Sequence, residues 1–227
     1  MKHRFYSKSQ KEQNRIQFKI AIAAVVFNLL ILLLSLLSGF YFLIFLFPII
    51  TLSIIAPFFD VPAMTKKGKL IYYSSLLITE KENKGTIVIH GGSLFDYVFV
   101  IDTSFSGKQR TNFILQKYLE GILNLIQACE ATDNTSVRIK GTTYILNART
   151  AEKIGLKITK TDFLQKLILT YNYVNILVSN SIAKRKIAFP KLHNIKTFES
   201  SIEELIKRKT FIEGLNNKLK ATRKQTK

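Results

Sequence analysis

From Ile20 to Phe59 the chain runs forty residues without a single charge, "IAIAAVVFNLLILLLSLLSGFYFLIFLFPIITLSIIAPFF". One membrane-spanning helix needs about 20 apolar residues, because at 1.5 Å rise per residue it must cross roughly 30 Å of hydrocarbon. Forty is too many for one span and suits two. Ser38 and Gly39, in "SLLSGFY", mark the natural turn, since Gly and Ser break an apolar helix most easily there. The pattern predicts a helical hairpin with spans near 20–37 and 41–57, closed off by Pro57 and Pro62. A secretory signal peptide would carry an apolar core of about 7–15 residues before a small-residue cleavage site, and no such boundary occurs here. The competing reading is a buried hairpin inside a water-soluble domain.

Basic residues flanking the spans set the expected orientation. The tail, residues 1–19, holds six Lys or Arg and one Glu, and Lys66, Lys67 and Lys69 follow the second span, while the turn between the spans is uncharged. Both termini are therefore expected on the cytoplasmic side of a multi-pass protein in the cell's inner (plasma) membrane. The single Cys129 fits a reducing compartment and permits no intrachain disulfide. It reads as a small apolar residue on the buried face of a helix.

The whole chain has a formal charge of +19, and residues 60–227 hold 28 Lys or Arg against 14 Asp or Glu. A basic domain tethered beside a membrane is drawn to anionic headgroups, at about 1 kcal/mol per basic residue near the surface. Nucleic acid is the other polyanion such a surface could meet, and it is less favoured because the membrane is already at hand. The headgroup contacts expected are Lys66, Lys67 and Lys69 beside the second span, with Lys184, Arg185 and Lys186.

Past the hairpin the chain reads as one α+β domain, residues 60–220, with a small antiparallel sheet and three main helices. Strands are expected at 69–80, 86–90 and 94–102, with a turn at "KENKG". Helical periodicity follows, with Leu115, Tyr118, Leu119, Ile122, Leu125, Ile126 and Cys129 on one stripe. "SVRIK", a "GT" turn and "TYIL" suggest two more strands, then a short helix "ARTAEKIG". Thr161 and Asp162 can cap a longer helix over "FLQKLILTYNYVNILVSNSIA". That helix carries no charge between Lys166 and Lys184 yet includes Asn172, Asn175, Asn180, Ser179 and Ser181. It is either buried in the core or lies in the headgroup plane, ended by "KRK". "SSIEELIKRKTFIEGLNNKLK" opens with a capping-box pattern at Ser200 or Ser201. Residues 221–227 read as a disordered basic tail.

The stretch "TIVIHGGSLFDYVFVI" (86–101) is the main candidate for chemistry, and three readings compete. "HGG" after an apolar strand is similar to the oxyanion loop of esterases, but these also need a G-x-S-x-G elbow, which the chain lacks. The outline of a membrane segment followed by His and Asp resembles the glycerolipid acyltransferases. That resemblance implies His90 as base on an acceptor hydroxyl, oriented by Asp96. The family separates the two residues by four positions and this chain by five. Its later Phe-Pro-Glu-Gly motif is echoed only by Phe189-Pro190, with Lys191 in place of Glu. In the third reading Gly91-Gly92 forms a turn requiring positive φ, His90 is a polar strand end, and Asp96 alternates onto the solvent side.

Downstream, "TYILNARTAEKIGLKI" is similar to the closing segment of the N-acetyltransferase fold, but the coenzyme-binding glycine run is missing. Asn147 as a helix cap and Gly155 as a helix end account for the segment without a cofactor. The three histidines, His3, His90 and His193, are scattered and offer no zinc spacing. No cofactor or metal is expected. The leading expectation is a non-enzymatic membrane protein whose basic domain binds lipid headgroups or a protein partner, a second copy of the chain in a homo-oligomer included. The rival is a membrane-bound acyltransferase acting on lipid through His90.

Overall fold

The computed structural model describes residues 3–143, 146, 148–192 and 195–224, and among them the chain forms nine helices and one six-stranded sheet. Two long apolar helices come first. Helix α1 (Gln10–Ser38) opens on a capping box: the Ser9 hydroxyl accepts the Glu12 N–H and the Glu12 carboxylate accepts the Ser9 N–H. It ends at Gly39, whose φ of +77° puts the turn where the sequence places it. Helix α2 (Leu43–Lys66) packs back along α1. Both helices are long and apolar enough to cross a membrane. Their side chains face outward, with Leu37 76% and Phe45 74% exposed, which is unlike a hairpin buried in a soluble core.

Both helices outrun the expected spans. Helix α1 begins at Gln10 rather than Ile20, and α2 passes through Pro57 and Pro62 without ending. A proline inside a helix leaves the carbonyl four residues earlier without its N–H partner. For Pro57 and Pro62 these carbonyls belong to Ser53 and Phe58, and each is satisfied by a side-chain amide from elsewhere. The Asn175 Nδ2 donates to the Ser53 oxygen at 2.5 Å and the Gln17 Nε2 donates to the Phe58 oxygen at 2.8 Å. Outside partners of this kind let a proline-bearing helix persist in an apolar setting.

The sheet runs in the order β1-β2-β3-β4-β6-β5. Its strands are β1 (Leu70–Ser74), β2 (Leu77–Glu80), β3 (Thr86–Gly91), β4 (Arg138–Thr143), β5 (Lys157–Thr159) and β6 (Lys196–Ser201). The expected small antiparallel sheet is instead a larger mixed one, because β3 and β4 pair in parallel and two helices cross between them. The segment 69–80 is two strands rather than one, turning at Ser75-Leu76, and no turn interrupts β4 at Gly141-Thr142. Strand β6, over "KTFESS", shows no clear alternation in its sequence.

Residues 94–102, read as a strand, form helix α3 (Leu94–Val100). The Ser93 hydroxyl accepts the Asp96 N–H and the Asp96 carboxylate accepts the Ser93 N–H, a capping box with Asp in the third helical position. Leu94, Phe95, Asp96 and Tyr97 are all buried, so no polar face betrays the helical period. Helix α4 (Gly107–Ala131) buries Tyr118, Leu119, Ile122, Leu125, Ile126 and Cys129 of its predicted stripe, with Leu115 partly buried against the same core. Helix α5 (Ala148–Lys153) and strand β5 follow, while Asn147 lies outside the described residues.

The long uncharged helix breaks at Asn172 into α6 (Phe163–Tyr171) and α7 (Tyr173–Lys184). The C-terminal helix likewise splits at Arg208 into α8 (Ile202–Lys207), capped by Ser201, and α9 (Lys209–Lys224). Helix α9 continues past Ala221, where disorder was expected.

One sheet face, carrying Leu77, Ile87, Ile89, Ile139 and Phe198, packs with α4, α8 and α9 into the main core. On the other face, the cross-strand neighbours Tyr72, Ile78 and His90 look toward α2, α3 and α7. A third cluster joins the hairpin to the domain: Phe5, Phe58, Leu94 and Phe95 are buried together, with Ile16, Ile20 and Ile54 against them.

Candidate functional site

The His-Gly-Gly-Ser-Leu-Phe-Asp stretch sits at the seam between hairpin and domain. Its two singled-out residues have different partners. Asp96 is fully buried, and all four of its acceptor positions are taken. Oδ1 receives Tyr72 O–H at 2.6 Å and lies 3.2 Å from His3 Nε2, while Oδ2 receives the Ser93 N–H and O–H at 2.7 Å each. The Phe5 N–H donates to His3 Nδ1 at 3.3 Å, which leaves Nε2 to donate to Asp96. The His3 ring is enclosed by Tyr6, Tyr72, Phe95 and Phe99.

Burial first, and then the Asp96 carboxylate beside it, push the Tyr72 phenol far above its ordinary range. This network, with its imidazole and carboxylate fully buried and no lone pair of the carboxylate left free, binds the N-terminal segment to α3. Arg4 completes the lock by donating to the carbonyls of Val98, Phe99 and Ile101 at the end of α3, where a cation is favoured.

His90 is the polar end of β3, as one reading had it, and its side chain is about half exposed. It pairs with Glu80, diagonally across the sheet, through Nε2 at 2.8 Å. Asp96 does not alternate to solvent, and neither Gly91 nor Gly92 has positive φ. Gly92 is needed for closeness instead: a Cβ there would lie 2.6 Å from Leu76 Cδ2. What sequence reasoning missed was His3 and Tyr72 as partners of Asp96, and Glu80 as partner of His90. The Ser-x-x-Asp spacing was the one local signal that could have revealed α3 and the inward turn of Asp96.

The His90–Glu80 pair lies on the rim of a cleft of about 370 Å³ between α2, α7 and the sheet. Pro57, Val61 and Met64 of α2, with Ile78 and Ile176, make its apolar walls. Asn175 and Ser179 are its polar lining on α7. A second cavity, of about 590 Å³, lies between β1 and α4, lined by Tyr73, Ser75, Phe105, Phe113 and Lys117 among others.

The six basic residues singled out are all exposed, and among the described residues none has an acidic partner. Lys66, Lys67 and Lys69 stand at the end of α2, and Lys184, Arg185 and Lys186 at the end of α7. The halves of the uncharged helix differ in burial. Helix α7 buries Asn175, Ser179, Asn180 and Ala183, whereas α6 buries nothing. Phe163, Leu164, Leu167, Ile168 and Tyr171 form an outward stripe on α6, with Phe163 81% exposed.

Comparison with known proteins finds no matching family, no curated relative and no similar solved structure. The likenesses to acyltransferases and N-acetyltransferases rest on short motifs alone, and His193 and Asn147 lie outside the described residues.

Proposed function

We propose that this is an integral protein of the cell's inner (plasma) membrane, with α1 and α2 spanning it and both termini cytoplasmic. Its basic domain binds the anionic leaflet through Lys66, Lys67, Lys69, Lys184, Arg185 and Lys186, and α6 inserts its apolar stripe among the lipids. The observation that carries this reading is the depth of α6. Asn175, in the first turn of α7 just after α6, bonds to Ser53, which lies seven residues on the apolar side of Asp60. Seven residues are about 10 Å of helix, and interfacial helices bury their apolar face roughly 5–10 Å into the headgroup boundary. On this reading the stripe on α6 meets the same lipid as the outward face of the hairpin.

The chain has no Trp, so Leu167→Trp adds a lone indole to the full-length protein. In nanodiscs whose lipids carry brominated acyl chains, its fluorescence should be strongly quenched. Phe211→Trp, exposed on α9, should not be. Equal quenching at both sites, or none at either, would refute the placement of α6. Reversing the six basic charges should remove any enrichment of anionic lipid around the purified protein.

One observation favours a second reading, acyl transfer to a lipid with His90 as base: His90 does hold a carboxylate at the mouth of a cleft, though it is Glu80 rather than Asp96. His90→Ala should then abolish a measurable acyl transfer without disturbing the fold.

A further inference from the structure

The cleft between α2 and α7 has a feature that membrane attachment does not use. Asn175 is over nine-tenths buried. Its Nδ2 is spent on the Ser53 backbone and hydroxyl, but its Oδ1 has no hydrogen-bond partner among the described residues. A buried acceptor without a donor costs about 1–3 kcal/mol. It lines the cleft together with Val61, Met64, Ile78 and Ile176, so this unmet acceptor stands beside apolar walls. At the rim, Glu80 and the His90 ring offer further acceptors, and the His90 Nδ1 has no protein partner among the described residues.

We infer that this cleft holds the headgroup end of one membrane lipid that donates hydrogen bonds, through a hydroxyl or a primary ammonium. The inference rests on the membrane reading above. A volume near 370 Å³ falls at the lower end of small-molecule sites, enough for a headgroup and the start of one chain. The apolar walls are the continuation of α2 as it leaves the bilayer, so a chain can run from the cleft along Met64, 36% exposed, into the hydrocarbon. The acceptors, Asn175 Oδ1 and the Glu80 carboxylate, then meet the donors of the head. A choline head fills the same space but has no N–H or O–H to give.

The test uses the full chain in nanodiscs of choline phospholipid doped with one photoactivatable lipid at a time. The three probes are an ethanolamine-headed phospholipid, diacylglycerol and a choline-headed phospholipid, with adducts mapped by mass spectrometry. Labelling of residues 61–64 and 172–179 should be at least about fivefold stronger with a donor-headed probe than with the choline probe, the worth of one hydrogen bond. Which of the two donor probes labels tells ammonium from hydroxyl. Met64→Trp, a change at a partly exposed wall position, should abolish that preference while the protein still floats with vesicles.

Equal labelling by all three probes in a protein that floats would overturn the cleft and leave the membrane reading standing, Asn175 being satisfied by water alone. Unchanged labelling in floating Met64→Trp protein would overturn it too. A protein that fails to associate with bilayers would overturn both.

Discussion

Among the described residues an imidazole and a carboxylate meet twice, and the two pairs do opposite work. His3 and Asp96 are sealed in the seam, with every lone pair of the carboxylate occupied. His90 and Glu80 are half exposed on the rim of the cleft. In the seam, removing either member strands the other away from water, so the pair acts as a structural lock. At the rim, water replaces whatever is lost, so the pair adds little to stability and is free to meet a ligand. Exposure separates a lock from a site when the chemical groups are the same.

The contrast breaks most readily at Asp96. Asp96→Leu leaves the buried His3 and the partly buried Tyr72 and Ser93 without their acceptor, and should cost on the order of 3–5 kcal/mol. Thermal unfolding in detergent would show the loss; an unchanged midpoint would mean that the N-terminal segment is not locked by this carboxylate.

Next in size is Asn175→Leu, expected to cost about 1–3 kcal/mol by stranding the Ser53 carbonyl. Pro57→Ala restores a backbone donor to that carbonyl, so the double variant should recover part of the loss. Additive effects would break the link between the proline and the amide.

Tyr72→Phe should cost about 0.5–1.5 kcal/mol at neutral pH. Because the folded Tyr72 phenol is raised above its unfolded value, its contribution is fully present below about pH 10 and is lost as pH rises beyond that. Alkaline unfolding of the Tyr72→Phe protein should therefore be shallower than that of the wild type. It should not vanish, since burial also raises Tyr118.

The smallest effect belongs to the rim: His90→Gln should shift stability by no more than about 0.5 kcal/mol. A larger loss in the same thermal assay would make the rim pair structural as well and erase the distinction.

Much of this was legible along the chain. The uncharged run, the turn at Gly39, the stripe on α4 and the buried Cys129 each follow from a local pattern, because length, charge and helical period are local properties. Helix α3 was missed because it is apolar on all sides except for Asp96, and Asp96 itself reads as a surface residue until its partners are known. The extent of α2 was missed for a related reason. Pro57 and Pro62 end a helix by every local rule, and only Asn175 and Gln17, one far along the chain and one on the facing helix, allow it to continue. The uncharged stretch after Asp162 likewise held two fates that composition could not divide at Asn172.

By itself, then, the sequence determined that two apolar helices precede a basic α+β domain, since forty uncharged residues and their basic flanks allow little else. Tertiary structure alone decided which histidine meets Asp96, which carbonyls the prolines release and what answers them, and that α6 faces outward while α7 does not. Hydrogen-bond partners 93 and 122 residues apart leave no periodic trace in a sequence, because their pairing depends on how whole elements pack rather than on any spacing within one.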